Sequence, residues 1–205
     1  MRLLDSILLL CCSPFVCVGQ GSFIYDQQSS TEANYQEGGA DIQQNQIIGQ
    51  SFIPQLSSVG FIRLFIYNGL LGDTSAATIH VNLRTNSISG AILSSTAPVS
   101  IPGGTLFAAP LDFYFTTPVL VAPGVTYYFQ PVVENNNNLG LNQSIFYNYL
   151  AGTAYLKGLT FTPHDLWFRE GIYVVPEPAG LALVACGIVM CGLRRGVKRR
   201  NSCDS

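Results

Sequence analysis

The middle of this chain contains no cysteine. All six cysteines lie near the ends: Cys11, Cys12 and Cys17 in one apolar segment, and Cys186, Cys191 and Cys203 in or after another. Disulfides and thiolate metal sites are therefore excluded from the region between them, whose stability has to come from a buried core. Charge is scarce as well. Asp, Glu, Lys and Arg make up 11% of the chain, against about 25% in an ordinary soluble domain. Exposed helices draw on Glu, Lys and Arg, so the shortage argues against a helical surface layer. Positive charge is the scarcer sign: between Ser22 and Val174 the Lys and Arg residues are only Arg63, Arg84, Lys157 and Arg169. Facing them are the acids Asp26, Glu32, Glu37, Asp41, Asp73, Asp112, Glu134, Asp165 and Glu170. A mildly acidic domain repels phosphate backbones, so no nucleic-acid partner is expected.

Long apolar runs are confined to the two ends. Met1-Arg2 opens with positive charge, Ile7–Val18 is apolar apart from Ser13 and Pro14, and small residues follow at Gly19 and Gly21. That order is the n-region, h-region and cleavage site of a secretory signal peptide, expected over Met1–Gly21. At the other end Val174-Val175-Pro176-Glu177-Pro178 precedes an apolar run, Ala179–Leu193, and then the basic residues Arg194, Arg195, Lys198, Arg199 and Arg200. A basic cluster holds its side of a membrane helix in the cytoplasm and leaves the preceding domain outside. At 1.5 Å per residue the run spans roughly 22 Å, less than the ~30 Å hydrocarbon core, so it reads as a marginal, temporary anchor.

The triplet, short apolar helix and terminal basic cluster, in that order, resemble the PEP-CTERM sorting signal of Gram-negative bacteria, over residues 175–200. The resemblance implies an exosortase as partner, a membrane transpeptidase-like enzyme that cleaves near the triplet. It also implies an inner-membrane-anchored precursor, delivery to the cell surface or medium, and association with extracellular polysaccharide. Pro176, Glu177 and Pro178 would then be the recognition residues, with Arg194 and Arg195 retaining the precursor in the membrane.

Between the ends, residues 22–46 are polar and Gln-, Ser-, Asn- and Gly-rich, and read as a leader loop with at most one edge strand. From residue 47 short apolar or alternating runs recur: Ile48–Phe52, Phe61–Tyr67, Thr78–Arg84, Ala91–Ser95, Leu106–Ala108, Leu111–Phe115, Thr126–Val133, Ile145–Tyr149, Tyr155–Leu159 and Leu166–Val174. Turn residues separate them, among them Asn68-Gly69, Pro102-Gly103-Gly104, Pro123-Gly124 and Asn135–Asn138. Alternation in Thr78–Arg84 points the odd-numbered residues to a core and the even-numbered ones to solvent. Phe61–Tyr67 is apolar on nearly both faces, as an interior strand would be. The expected fold is all-β, one antiparallel β-sandwich of jelly-roll type over residues 47–174. Gln50-Ser51-Phe52, Phe61–Tyr67, Pro123–Tyr128 and Asp165–Arg169 together resemble β-sandwich ectodomains found ahead of bacterial surface anchors. That likeness implies a fold and transfers no functional residue.

Chemistry has few candidates. His80 falls on the polar side of its strand beside Asn82 and Arg84. His164 is adjacent to Asp165, and neighbouring strand side chains point apart, which disfavours a triad. No G-x-S-x-G elbow, H-E-x-x-H helix or P-loop occurs, so no catalytic residue and no cofactor is assigned. Any two of the nine acids brought together could serve a glycoside hydrolase, but no spacing selects a pair. Asp73, Asp112, Glu134, Asp165 and Asn135–Asn138 offer oxygens for a structural Ca²⁺ without a spacing that places one. Tyr67, Tyr114, Tyr127, Tyr128, Tyr147, Tyr149, Tyr155, Trp167 and Tyr173 could stack on sugars, although strand aromatics more often pack cores. Trp167 and Arg169 share one side of the last strand opposite Leu166 and Phe168, and are expected exposed or edge-facing if the latter pair is core. The expected function is a non-catalytic exported surface or matrix protein. A carbohydrate-binding module is the alternative, and a secreted glycoside hydrolase ranks last.

Overall fold

The computed structural model describes residues 21–29, 38–68, 75–135, 138–144, 149–162 and 164–175. Residues 1–20 of the expected signal segment, the triplet Pro176–Pro178, the run Ala179–Leu193, the basic cluster, Asp73 and most of the expected strand Ile145–Tyr149 lie outside them. Among the described residues no helix is long and apolar enough to cross a membrane. Contacts divide the chain into Phe23–Tyr173 and the terminal segments 1–22 and 174–205; the fold is that of the first.

The described residues form strands and no helix, arranged in two antiparallel sheets that make a β-sandwich. In chain order the strands are β1 (Ser22–Gln28), β2 (Gly39–Asp41), β3 (Gly49–Phe52), β4 (Ser58–Asn68), β5 (Ala77–Thr85), β6 (Ile92–Ser95) and β7 (Val99–Ile101). They continue with β8 (Ala108–Leu120), β9 (Tyr127–Val133), β10 (Leu139–Ser144), β11 (Ala154–Leu156), β12 (Leu159–Thr160), β13 (Asp165–Leu166) and β14 (Phe168–Val174). The first sheet runs β1-β14-β4-β8, with β10 following β14 along β4 and carrying β2 and β13. The second runs β12-β11-β3-β9-β5, and β6 and β7 share the outer edge of β5.

Alternation decides which side chains meet between the sheets. Ile62, Leu64 and Ile66 of β4 and Phe113 of β8 point inward from the first sheet. Ile79, Val81 and Leu83 of β5 and Phe129 of β9 point inward from the second, and all eight are fully buried. At one end of this layer Phe168 packs against Phe52, Phe129 and Tyr149 at ring-centroid distances of 6.5, 5.2 and 5.2 Å. Turn chemistry works as the residues suggest. Ala122-Pro123-Gly124-Val125 closes with the Val125 amide donating to the Ala122 carbonyl, and Gly124 at φ 78° supplies the left-handed third position of a type II turn.

Six segments differ from the sequence reading, two of them strands it did not expect, β7 (Val99–Ile101) and β10 (Leu139–Ser144). Residues 22–46, expected as a leader loop, contribute β1 and β2 to the first sheet. Leu106–Ala108 and Leu111–Phe115, expected as two strands, belong to one region whose 13-residue strand β8 passes through Pro110; β8 is an edge strand, where the missing N–H breaks no ladder. Tyr155–Leu159 is instead the hairpin β11–β12. Lys157 and Gly158, at φ 53° and 76°, form its two-residue turn. Leu166–Val174 divides at Trp167, since β13 pairs with β10 and β14 with β4.

Because Phe168 of the first sheet packs against two rings of the second, Phe52 and Phe129, and against Tyr149, Phe168→Ala should destabilise the protein by about 3–5 kcal/mol. Urea unfolding would measure it; a loss under about 1 kcal/mol would show that the aromatic cluster is not a packed core.

Candidate functional site

Since Ile62, Leu64 and Ile66 face the core, Phe61, Arg63, Phe65 and Tyr67 of β4 must face outward. Register sets their neighbours. Phe61 stands between Tyr114 of β8 and Gly171 of β14, and Arg63 stands between Asp112 and Arg169. Gly171 leaves its place in the row without a side chain, and β1 approaches so closely that a Cβ there would collide with the Ile24 carbonyl. Phe23 of β1 lies over this gap, 5.0 Å from the rings of both Phe61 and Tyr173 and 6.4 Å from Tyr114. Tyr114 and Tyr173 meet edge to face at 5.7 Å. Tyr25, Tyr114 and Tyr173 each keep more than a third of their surface in solvent (37%, 39% and 37%), while Phe61 beneath them is fully buried.

Arg63 and Arg169 lie directly opposite one another, an arrangement that costs energy when like charges are uncompensated. Arg63 donates from Nε to Asp112 Oδ1 at 2.6 Å, from Nη2 to Asp112 Oδ2 at 2.9 Å and from Nη1 to the Tyr25 hydroxyl at 2.6 Å. Its guanidinium also lies 4.5 Å from the Phe23 ring centroid, and that of Arg169 lies 5.0 Å from Tyr25 and 5.6 Å from Trp167. A two-pronged carboxylate bond and aromatic faces both favour a weakly hydrated guanidinium, so the paired cations are held. Burial, then the Asp112 charge and the hydrogen bond to it, push the Tyr114 phenol up to about 12. It remains a neutral donor at ordinary pH.

Trp167 and Arg169 were expected exposed or edge-facing and are buried, at 0% and 7% exposure, even though Leu166 and Phe168 are core. Trp167 packs edge to face on Phe65 at 5.9 Å, and Tyr25 of β1 lies over Arg169. The face opposite the core is therefore a second small packed layer. The other named aromatics scatter. Tyr127 and Tyr149 line the core, Tyr67 packs beside Gly39 and Gly140, and Tyr128 meets Tyr155 at 5.9 Å on the second sheet; Tyr147 lies outside the described residues. Phe23 and Tyr25 escaped the sequence reading, although the spacing Phe23-x-Tyr25 is that of a strand face.

Two of the acids, Asp26 and Glu170, are neighbours, and Asp112 and Asp165 have partners of their own. Asp26 Oδ2 accepts the Gln55 and Leu56 amides at 2.7 and 2.9 Å. Glu170, on the core side of β14, is fully buried, and neither of its oxygens has a partner of full hydrogen-bond geometry among the described residues. Burial first, then the neighbouring Asp26 charge and hydrogen bonding with it, push Glu170 up to about 9, so it carries a proton at neutral pH. Asp165 is also pushed up by burial; its oxygens accept from Gln50 Nε2 at 2.7 Å and the Tyr149 amide at 2.5 Å. Gln50 in turn accepts the Leu166 amide at 3.0 Å. Tyr149, raised to about 12 chiefly by burial, donates to Gln27 Oε1 at 2.8 Å. These groups tie β1, β3 and the β13–β14 segment together by hydrogen bonds to backbone and amide side chains.

The remaining candidates lie apart. His80 Nδ1 is 3.0 Å from Glu134 Oε1, and its strand neighbour Asn82, expected in solvent, is buried and accepts from the Ser95 hydroxyl at 2.6 Å. His164 stacks on Phe161 at 5.0 Å. Of the proposed calcium ligands, Asp112 holds Arg63, Glu134 meets His80 and Asp165 holds Gln50. Asn135 accepts the Thr78 amide and donates to the Ala76 carbonyl. Among the described residues no three His, Cys, Asp or Glu side chains come together as a metal site. Comparison with protein-family models and with curated proteins finds no match for this chain.

The buried acid makes stability depend on pH in a known sense. Glu170 titrates near 4.3 when unfolded and near about 9 when folded, so its stabilising contribution is complete below the lower value. It falls by about 1.4 kcal/mol for each pH unit up to the higher one. Glu170→Gln, which keeps the shape without the proton, should remove that slope. Denaturation at pH 5, 7 and 8.5 should show the variant gaining on the wild type as pH rises; parallel curves would mean that Glu170 is ionised in the fold.

Proposed function

We propose that this chain is a non-catalytic exported protein of the cell surface or extracellular matrix, processed at a C-terminal PEP-CTERM signal by an exosortase-type enzyme. The observation that carries the reading is the division of the chain. Phe23–Tyr173 contains a β-sandwich with its own core, and the delivery-type sequences, Met1–Gly21 and residues 175–200, fall at its two ends. The strand orders β1-β14-β4-β8 and β3-β9-β5-β6 fit an eight-strand jelly roll in which the chain passes repeatedly between sheets. The engagement of Asp26, Asp112, Asp165 and Glu170 in packing favours a binding or structural role over hydrolysis. A second reading, a carbohydrate-binding module within the matrix, is favoured by the tyrosines gathered on the first sheet.

Pro176→Ala or Glu177→Ala in a host with an exosortase should leave the uncleaved precursor in the inner-membrane fraction, seen as a larger band on immunoblots. Release at the wild-type rate would make the triplet incidental.

A further inference from the structure

We infer that the uncharged end of the sandwich, where β1 begins and β14 ends, is a docking surface for the headgroup layer of a phospholipid bilayer, with Ile24, Leu120, Val125, Leu150 and Tyr173 as the side chains that enter it. The inference rests on the anchored-precursor reading and adds to it a membrane contact made by the folded domain itself.

Four observations support it. First, the domain's chain enters and leaves side by side: the Phe23 and Tyr173 rings lie 5.0 Å apart at one end of the β1–β14 pair, and the Ser29 amide donates to the Phe168 carbonyl at the other. Second, the segments that close this end carry no charge. Ser58 of β4 stands opposite Leu120 of β8, and Thr85 of β5 opposite Tyr127 of β9. The Gly124 amide donates to the Pro54 carbonyl, and the Ile53 amide to the Tyr149 hydroxyl beside the Tyr149–Gly152 turn. Residues 21–25, 53–60, 86–91, 116–126, 149–153 and 172–175 include no Asp, Glu, Lys or Arg. The nearest charges are engaged, Asp26 by the Gln55 and Leu56 amides and Arg84 by Gln130 and the Gly90 carbonyl. Asp41, Glu134 and Lys157 lie at the opposite end, against Gly140, Thr78 and Asn45. Third, apolar side chains stand out from the uncharged end. Leu120 and Leu150 keep 83% and 89% of their surface in solvent, and Ile24, Val125 and Tyr173 are exposed as well. Apolar groups without charge suit the boundary between headgroups and acyl chains, and a tyrosine, apolar in its ring and polar at its tip, suits the headgroup level. Fourth, the tether is short. Only residues 175–178 separate β14 from the apolar run Ala179–Leu193, at most about 14 Å of extended chain, against a headgroup layer roughly 5–8 Å thick. That run is also shorter than the hydrocarbon core, which draws its flanks inward. Contacts too weak to hold a free domain then act at high effective concentration.

The test uses the full chain in phosphatidylcholine vesicles, its six native cysteines replaced by alanine. One new cysteine carries a nitrobenzoxadiazole probe, either in Leu120→Cys or in Leu159→Cys, the latter an exposed position at the opposite end, beside Gly158, which donates to the Ile47 carbonyl. Quenching by headgroup-nitroxide lipid should be about threefold or more stronger at position 120 than at 159, and the same at low and high salt, since no charge takes part. Val125→Asp combined with Leu150→Asp should bring the signal at position 120 down to that at 159 while the melting temperature stays near wild type; the single variants replace the double one if it fails to fold. Equal quenching at the two positions in a chain that floats with the vesicles, quenching unchanged in the folded aspartate variants, or a steep loss of quenching with salt would each overturn the docking and leave the anchored reading standing. So would a probe signal at position 120 that follows protein density and ignores the nitroxide lipid, since a second copy of the chain would then be the occupant. A chain that does not float with the vesicles would overturn the anchored reading and the docking together.

Discussion

A strand that is apolar on both faces must be covered on both, and β4 imposes that requirement on the whole sandwich. Its inward residues are covered by the second sheet in the ordinary way. Its outward residues, Phe61 and Phe65, are just as deeply buried, and no third sheet exists among the described residues to cover them. Side chains of the first sheet itself do so: Trp167 over Phe65, and Phe23 and Tyr25 of β1 over Phe61 and the two arginines. The empty place left by Gly171 lets β1 come close enough for this.

The same two strands carry the charge problems of the fold. Successive residues on β14 point to opposite faces, so Arg169 goes outward beside Arg63 and Glu170 goes inward to the apolar layer. Outside, aromatic faces and Asp112 accommodate two guanidiniums. Inside, a carboxyl next to Asp26 is kept neutral by burial. An isolated ionised carboxylate would be far more costly there. Asp26 itself grips the Gln55 and Leu56 amides, so β1 is fastened by its outward rings and its inward-reaching acid alike. The exposure of Tyr25 is a by-product of this fastening, since the ring that lies over Arg169 also presents an edge to solvent.

Much of the sandwich was legible because period-two alternation is a direct consequence of strand geometry. Ile79, Val81 and Leu83 point inward as read, and β4 is the two-sided interior strand that its apolar run suggests. Boundaries were less legible where pairing overrides local signals. Ala108 and Leu111–Phe115 read as parts of separate runs and fall in one edge strand that includes Pro110, while the Lys157-Gly158 turn was hidden inside an apolar run. The polar composition of residues 22–46 concealed β1, and with it Phe23 and Tyr25. Trp167 and Arg169 followed correctly from alternation to the non-core face, but that face turned out to be covered. Such a cover depends on long-range register between β1, β4 and β14, which no local pattern encodes. Asn82 was misplaced for a similar reason: its burial is made tolerable by Ser95 from the neighbouring strand.

The claim on which all of this rests is that β1 is an integral strand. Hydrogen–deuterium exchange of the full chain, followed by mass spectrometry of the peptide covering residues 22–28, measures it most directly. The account predicts that its amides are protected to a degree comparable with those of residues 168–174, to which β1 is paired. Complete exchange within seconds, as in an unstructured leader, would contradict it.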